Sequence, residues 1–394
     1  MKKYIFYSDK LLKRAGGPST YLYNLKNGLK NSKEKNLITF IYDTSEENNE
    51  TNKNKLRENV KSIIYKFPWL YEKIVIRKRI KRNSVFNKVS NINKNDIIMF
   101  HSTEDFSKAY DLLPKTCTKI LMSHSPEVAS KEITNVLKTK CQNYDFRNAE
   151  RYFLDNYDLF SFNNADIIVF PSKESMEPYY QTCSKFSEVI KNKKVYYLET
   201  GTEELKFNYT KEEYRKKLGI PEDTFVLCFI GRHNWVKGYD NFVKIASKMI
   251  KKHNDIYVIT AGVGDIESPK NKRWIDVGWT NDPGSIANAS DVFILPNERT
   301  YFDLVLLEML SLGKTCIASN TGGNITVSKH TEGVILYDDV SQAVEKIDFL
   351  YNNKNKIYEY GNENRKLYEK RYTIEKFTER YIEFFNKISK EKGK

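Results

Sequence analysis

Short apolar runs separated by helix-sized stretches constrain this chain more than any other feature. In the first half the runs are KYIFYS, LITFIYD, DIIMFH, KILMSH, DIIVFPS and VYYLET. In the second half they are FVLCFIG, IYVITAG, WIDVGW, VFILPN, TCIASN and VILYDD. None alternates between apolar and polar residues, so each reads as a strand of a parallel sheet buried on both faces. Two successive βα sets in 394 residues predict two Rossmann-like α/β domains rather than one core. The expected domains are residues 1–200 and 205–370, with the break near Gly201–Pro221, where VYYLET ends in glycine and a charged segment follows. After these, residues 371–394 place Tyr372, Phe377, Tyr381, Phe384 and Phe385 at helical spacing.

Ligands of such sheets bind beyond the carboxyl ends of the strands. At these exits stand Gly16-Gly17-Pro18, His101, His124, Ser172, Gly201, Gly231-Arg232, Gly262, Glu298 to Asp303, and Gly322-Gly323. In CFIGRHNWVKGYDNF, Gly231 lets the backbone approach a phosphate, and Arg232 and Lys237 add two cations of different geometry. In PNERTYFDLVLLEMLSLGKTCIASNTGG a helix is predicted to begin near Phe302 or Asp303, its amino end facing the strand exits. Its free N–H groups and dipole suit a diphosphate. Glu308 lies about a turn and a half inside, on an otherwise apolar helix, where a carboxylate needs a partner; two ribose hydroxyls would serve.

These motifs, G-R-x(4)-K-G followed by DLVLLEMLSLGKTCIASNTGG, resemble the donor domain of family-4 glycosyltransferases, retaining enzymes of the GT-B fold. AGGPSTYLYNL, NDIIMFHS, TKILMSHSPE, ADIIVFPSKES and VYYLETGTEE resemble the family's first half more loosely. The resemblance implies two Rossmann-like domains facing each other across a cleft, with the C-terminal helix crossing back to the N-terminal domain. It implies that Arg232 and Lys237 bind the donor diphosphate, with Gly231 beside them. It also implies that Glu308 grips the ribose and that the backbone of Asp303, Leu304 and Val305 holds phosphate, next to Phe302. His124 would sit by the reacting sugar, and Gly16 and Gly17 would let the first loop approach donor phosphate and acceptor. The chain departs from the family where two glutamates are expected seven residues apart: Thr300 stands eight positions before Glu308. Asp303 or Glu298 is left to supply the missing carboxylate, or the site is degenerate.

The charge is uneven. Residues 1–200 hold 35 Lys and Arg against 23 Asp and Glu, a net of +12, so only +2 of the total +14 belongs to the rest. Such asymmetry points to an anionic partner or to simple solubility. Its sharpest expression is Tyr65 to Lys88, where Phe67, Trp69, Tyr71, Ile74 and Ile80 mix with at least seven cations and one acid, Glu72. Aromatics beside cations suit an anionic lipid surface, and no nucleic-acid signature accompanies them; a solvated helix face is the plainer alternative. Five scattered cysteines without C-x-x-C spacing argue for a reducing cytosol. No apolar run is long enough to span a bilayer, and none of the five histidines has paired ligand spacing, so neither a metal nor a cofactor is expected.

The expected function is transfer of a sugar, with retention, from a nucleoside diphosphate sugar to a glycan acceptor. A lipid-linked acceptor in cell-surface polysaccharide synthesis fits best, with the protein on the cytosolic face of the membrane through residues 65–88. A soluble protein-glycosylating transferase and a sugar-binding scaffold without turnover are the alternatives.

Overall fold

In a computed structural model the described residues are 1–13, 17–45 and 61–392. They form two compact units, the first comprising residues 1–170, 178–198 and 380–394, the second residues 171–177 and 199–379. Every apolar run predicted as a strand is one.

The first unit carries β1 (Lys3–Phe6), β2 (Thr39–Ile41), β3 (Ile97–Phe100), β4 (Thr118–Met122), β5 (Ile167–Phe170) and β6 (Lys194–Tyr197). All are parallel, in the order β2-β1-β3-β4-β5-β6. The order reverses between β1 and β3, and open α/β sheets offer their crevice at such a switch. β3 and β5 are buried along their whole length, as their unalternated sequences require. β6 differs from that expectation: as an edge strand it leaves Tyr197 47% exposed. Helix Ile374–Lys392 contributes its residues from Arg380 onward to this unit. There the Tyr381 hydroxyl lies 2.8 Å from that of Tyr21, and Phe384 meets Tyr196 edge to face.

The second unit carries β7 (Phe225–Ile230), β8 (Ile256–Ala261), β9 (Trp274–Asp276), β10 (Val292–Leu295), β11 (Thr315–Ser319) and β12 (Val334–Tyr337). The order β12-β11-β10-β7-β8-β9 makes it a doubly wound parallel sheet whose switch point lies between β7 and β10. Helix Tyr239–Lys252 covers it with Phe242, Ile245, Ala246, Met249 and Ile250, spaced three and four apart and all buried. Each large side chain so buried stabilises the unit by roughly 1.5–3 kcal/mol. The short segment Pro171–Glu177 belongs here too: Ser175 Oγ donates to the Tyr301 carbonyl at 2.5 Å, and Thr326 Oγ1 donates to Ser172 Oγ at 2.7 Å.

Candidate nucleotide-sugar site

The two strand exits that flank the switch point of the second unit are locked together by glycine. Gly238 adopts φ +64, and a Cβ there would lie 1.7 Å from the Pro296 carbonyl oxygen. Only glycine allows that approach, which holds the β7 loop against the β10 loop. The β7 loop is otherwise built on Asn234, whose side chain accepts from Lys237 N at 3.0 Å, and on the Gly238 N–H to Trp235 carbonyl bond of 2.8 Å. Gly231 and the exposed Arg232 follow the strand directly, as the sequence predicts.

Lys237 points across this junction. Its Nζ lies 2.5 Å from Asp303 Oδ2, which also accepts from Asn297 Nδ2 at 2.9 Å. Asp303 is the N-cap of helix Leu304–Ser311, and its other oxygen accepts from Val305 N at 3.4 Å. Burial raises the Asp303 carboxyl, but Lys237 and these hydrogen bonds outweigh it and hold the group below the usual carboxylate range. The cation and the helix amino end expected to receive phosphate therefore already meet a carboxylate of the chain. Asn297, 2% exposed, carries no motif that marked it in the sequence.

Glu308 sits in the second turn of the same helix, half-buried among buried Leu306, Leu307, Met309 and Leu310. Thr300 and Phe302 are both buried, with Phe302 against Tyr372. Gly322 pins their loop: at φ +46, a Cβ would fall 1.9 Å from the Thr300 carbonyl oxygen. Glu298, the other carboxylate considered for the missing position, accepts from Asn241 Nδ2 at 2.5 Å.

In the first unit, His101 and His124 leave β3 and β4 side by side. His101 Nδ1 lies 2.6 Å from His124 Nε2, the rings are 15° from parallel, and Tyr21 lies against both. Burial depresses both imidazoles, that of His124 to about 3, so both are neutral at physiological pH. Only His124 carried a sequence motif for a role; their contact depends on β3 and β4 being neighbours. Gly17 opens helix Gly17–Lys30 and is exposed, while Gly16 lies outside the described residues.

The basic aromatic run forms helix Pro68–Ile80. Its inner side presents Tyr71, Val75 and Ile76 to a cluster around Phe146 and Phe153, and the buried Glu72 accepts from Ala149 N at 2.8 Å. Its outer side exposes Phe67, Trp69, Ile74 and Ile80 beside Lys73, Arg77, Lys78 and Lys81, with Lys73 Nζ 5.4 Å from the Trp69 ring. Arg79 and Arg82 are committed elsewhere, to Glu104 and Asp111 at 2.6 and 2.8 Å. Among the described residues no helix is long and apolar enough to cross a membrane.

Comparison with known proteins agrees with this fold. An uncharacterized glycosyltransferase of Methanocaldococcus jannaschii is 25% identical over 206 residues, covering 45% of this chain and 53% of the relative. The UDP-Gal:alpha-D-GlcNAc-diphosphoundecaprenol alpha-1,3-galactosyltransferase of Escherichia coli is 32% identical over 128 residues, covering 29% and 33%. The chain thus spans about half of the first relative and a third of the second. The solved sucrose-phosphate synthase of Thermosynechococcus elongatus shares the fold, with a TM-score of 0.64 at 14% identity over 98% of this chain and 99% of that one. The family model for glycosyl transferases group 1 matches residues 210–367, which contain β7 to β12 with Arg232, Lys237, Asp303 and Glu308. Residues 210–367 are therefore a glycosyl transferases group 1 domain, in a chain of two Rossmann-like units of the GT-B type.

Proposed function

We propose that the chain is a retaining glycosyltransferase that takes a sugar from a nucleoside diphosphate donor. The observation that carries this is the meeting of Lys237 with the amino end of the Leu304–Ser311 helix at the switch point of the matched domain, where Arg232 follows β7. Such preorganised positive charge stabilises a departing diphosphate, and it needs neither a metal nor a cofactor to do so. Glu308 is assigned the ribose. His124, neutral and buried, suits a hydrogen bond to a hydroxyl of the reacting sugar. No protein nucleophile is invoked: the leaving phosphate assists removal of the acceptor proton on the same face of the sugar. The test is release of free nucleoside diphosphate from a panel of nucleotide sugars, first with water and then with glycan acceptors. Absence of release with every donor, despite binding, would favour the second reading, a sugar-binding partner. Thr300 supports that alternative, since both nearby carboxylates, Asp303 and Glu298, are engaged within the chain.

The acceptor we assign is a lipid-linked glycan, as the name of the Escherichia coli relative indicates for that protein. The exposed aromatic and cationic side of helix Pro68–Ile80 supports residence at an anionic membrane surface, on its cytosolic side.

A further inference from the structure

We propose that Asp303 is a built-in counter-charge of the diphosphate site, which sets how tightly a nucleoside diphosphate binds. This rests on the donor assignment above. Two donors assigned to phosphate, Lys237 Nζ at 2.5 Å and Val305 N at 3.4 Å, already meet this carboxylate, and Asn297 Nδ2 meets it at 2.9 Å. Lys237 and Asn297 converge on one oxygen while the other faces the helix amino end, so a single side chain occupies both the cation and the dipole. The ion pair is shielded, with the side chains of Lys237 and Asp303 26% and 11% exposed, so salt screens it little.

A diphosphate entering this site must share Lys237 with a fixed anion a few ångströms away. Both the competition and the repulsion weaken binding, and both vanish when Asp303 loses its charge. The alternative role, in which Asp303 replaces the absent glutamate and contacts the donor sugar, makes the opposite forecast: loss of turnover with no gain in diphosphate affinity.

Asp303→Asn and Asp303→Ser test this, since both residues cap helices well and leave the helix start intact. Calorimetry with inorganic pyrophosphate and with UDP, GDP, ADP and CDP should show roughly tenfold tighter binding of pyrophosphate, and of whichever nucleotide binds, in both variants. Adding Lys237→Met to Asp303→Asn should remove that gain, which a merely structural role for Asp303 would not produce. Wild-type binding with unchanged or weaker affinity in both folded variants overturns the counter-charge and leaves the donor reading standing. No binding by any form overturns both. Should neither variant fold, the wild-type protein crystallised with a nucleoside diphosphate decides. A phosphate oxygen on Lys237 supports the proposal, and a Lys237 still held only by Asp303 overturns it.

Discussion

His101 Nδ1 and His124 Nε2 lie 2.6 Å apart at the exits of two neighbouring strands, so one imidazole donates to the other and the two cannot both be charged without breaking the contact. The pair makes the fold acid-sensitive. Both imidazoles have folded pKa values below the ordinary 6.5, so the unfolded chain binds protons first as pH falls. Stability is therefore full above about 6.5 and is lost progressively toward the folded value of His124, about 3. Asp105 and Asp158 oppose this in part, because burial raises both to about 6 and the folded state gains stability as they protonate. Replacing His101 by Gln should flatten the decline between pH 7 and pH 5, read by denaturant unfolding at each pH. An unchanged slope would show that the pair does not govern acid sensitivity.

Arg232→Ala and Lys237→Ala should each lower kcat/KM by roughly two orders of magnitude, the usual consequence of removing charge stabilisation from a leaving group. Steady-state kinetics on the donor found by the nucleotide-release screen measures this. Wild-type turnover in both variants would remove the two cations from the reaction.

Glu308→Gln should weaken binding of the free nucleoside diphosphate, not only of the sugar donor, because the carboxylate is assigned to the ribose. Calorimetry compares the two ligands directly. Equal affinity of wild type and variant for the free nucleotide would return Glu308 to a structural role within its apolar helix.

Gly322→Ala should destabilise the second unit by about 1–3 kcal/mol or more, since the site combines a positive φ with a carbonyl 1.9 Å from the new Cβ. The Thr300–Phe302 loop must move to admit the methyl, so donor affinity should fall with stability. Thermal unfolding near the wild-type temperature would mean that the two loops are not packed as closely as described.

Membrane binding should follow the exposed cations of helix Pro68–Ile80 rather than its paired ones. Lys73, Arg77, Lys78 and Lys81 replaced together by Ser should abolish binding to anionic liposomes, each contributing on the order of 1 kcal/mol. Replacing Arg79 and Arg82, which already meet Glu104 and Asp111, should matter less. Cosedimentation at low and high salt measures both, and binding indifferent to lipid charge would leave a soluble acceptor ahead.

The sequence by itself determined the twelve strands and their parallel character, because unalternated apolar runs can be satisfied only where both faces of a sheet are covered. It also marked the glycine-rich exits and the cations beside them, since phosphate chemistry leaves local traces. Only the tertiary structure decided what those groups touch. Lys237 and Asp303 lie 66 positions apart and meet because β10 pairs with β7, and strand order is set by long-range pairing that leaves no local pattern. The same holds for His101 and His124, joined by the pairing of β3 with β4, and for Arg79 and Arg82, withdrawn from the basic surface by acids of another helix and its end. Residue type is a local property, but the partner that neutralises a charge is chosen by the packing of distant elements.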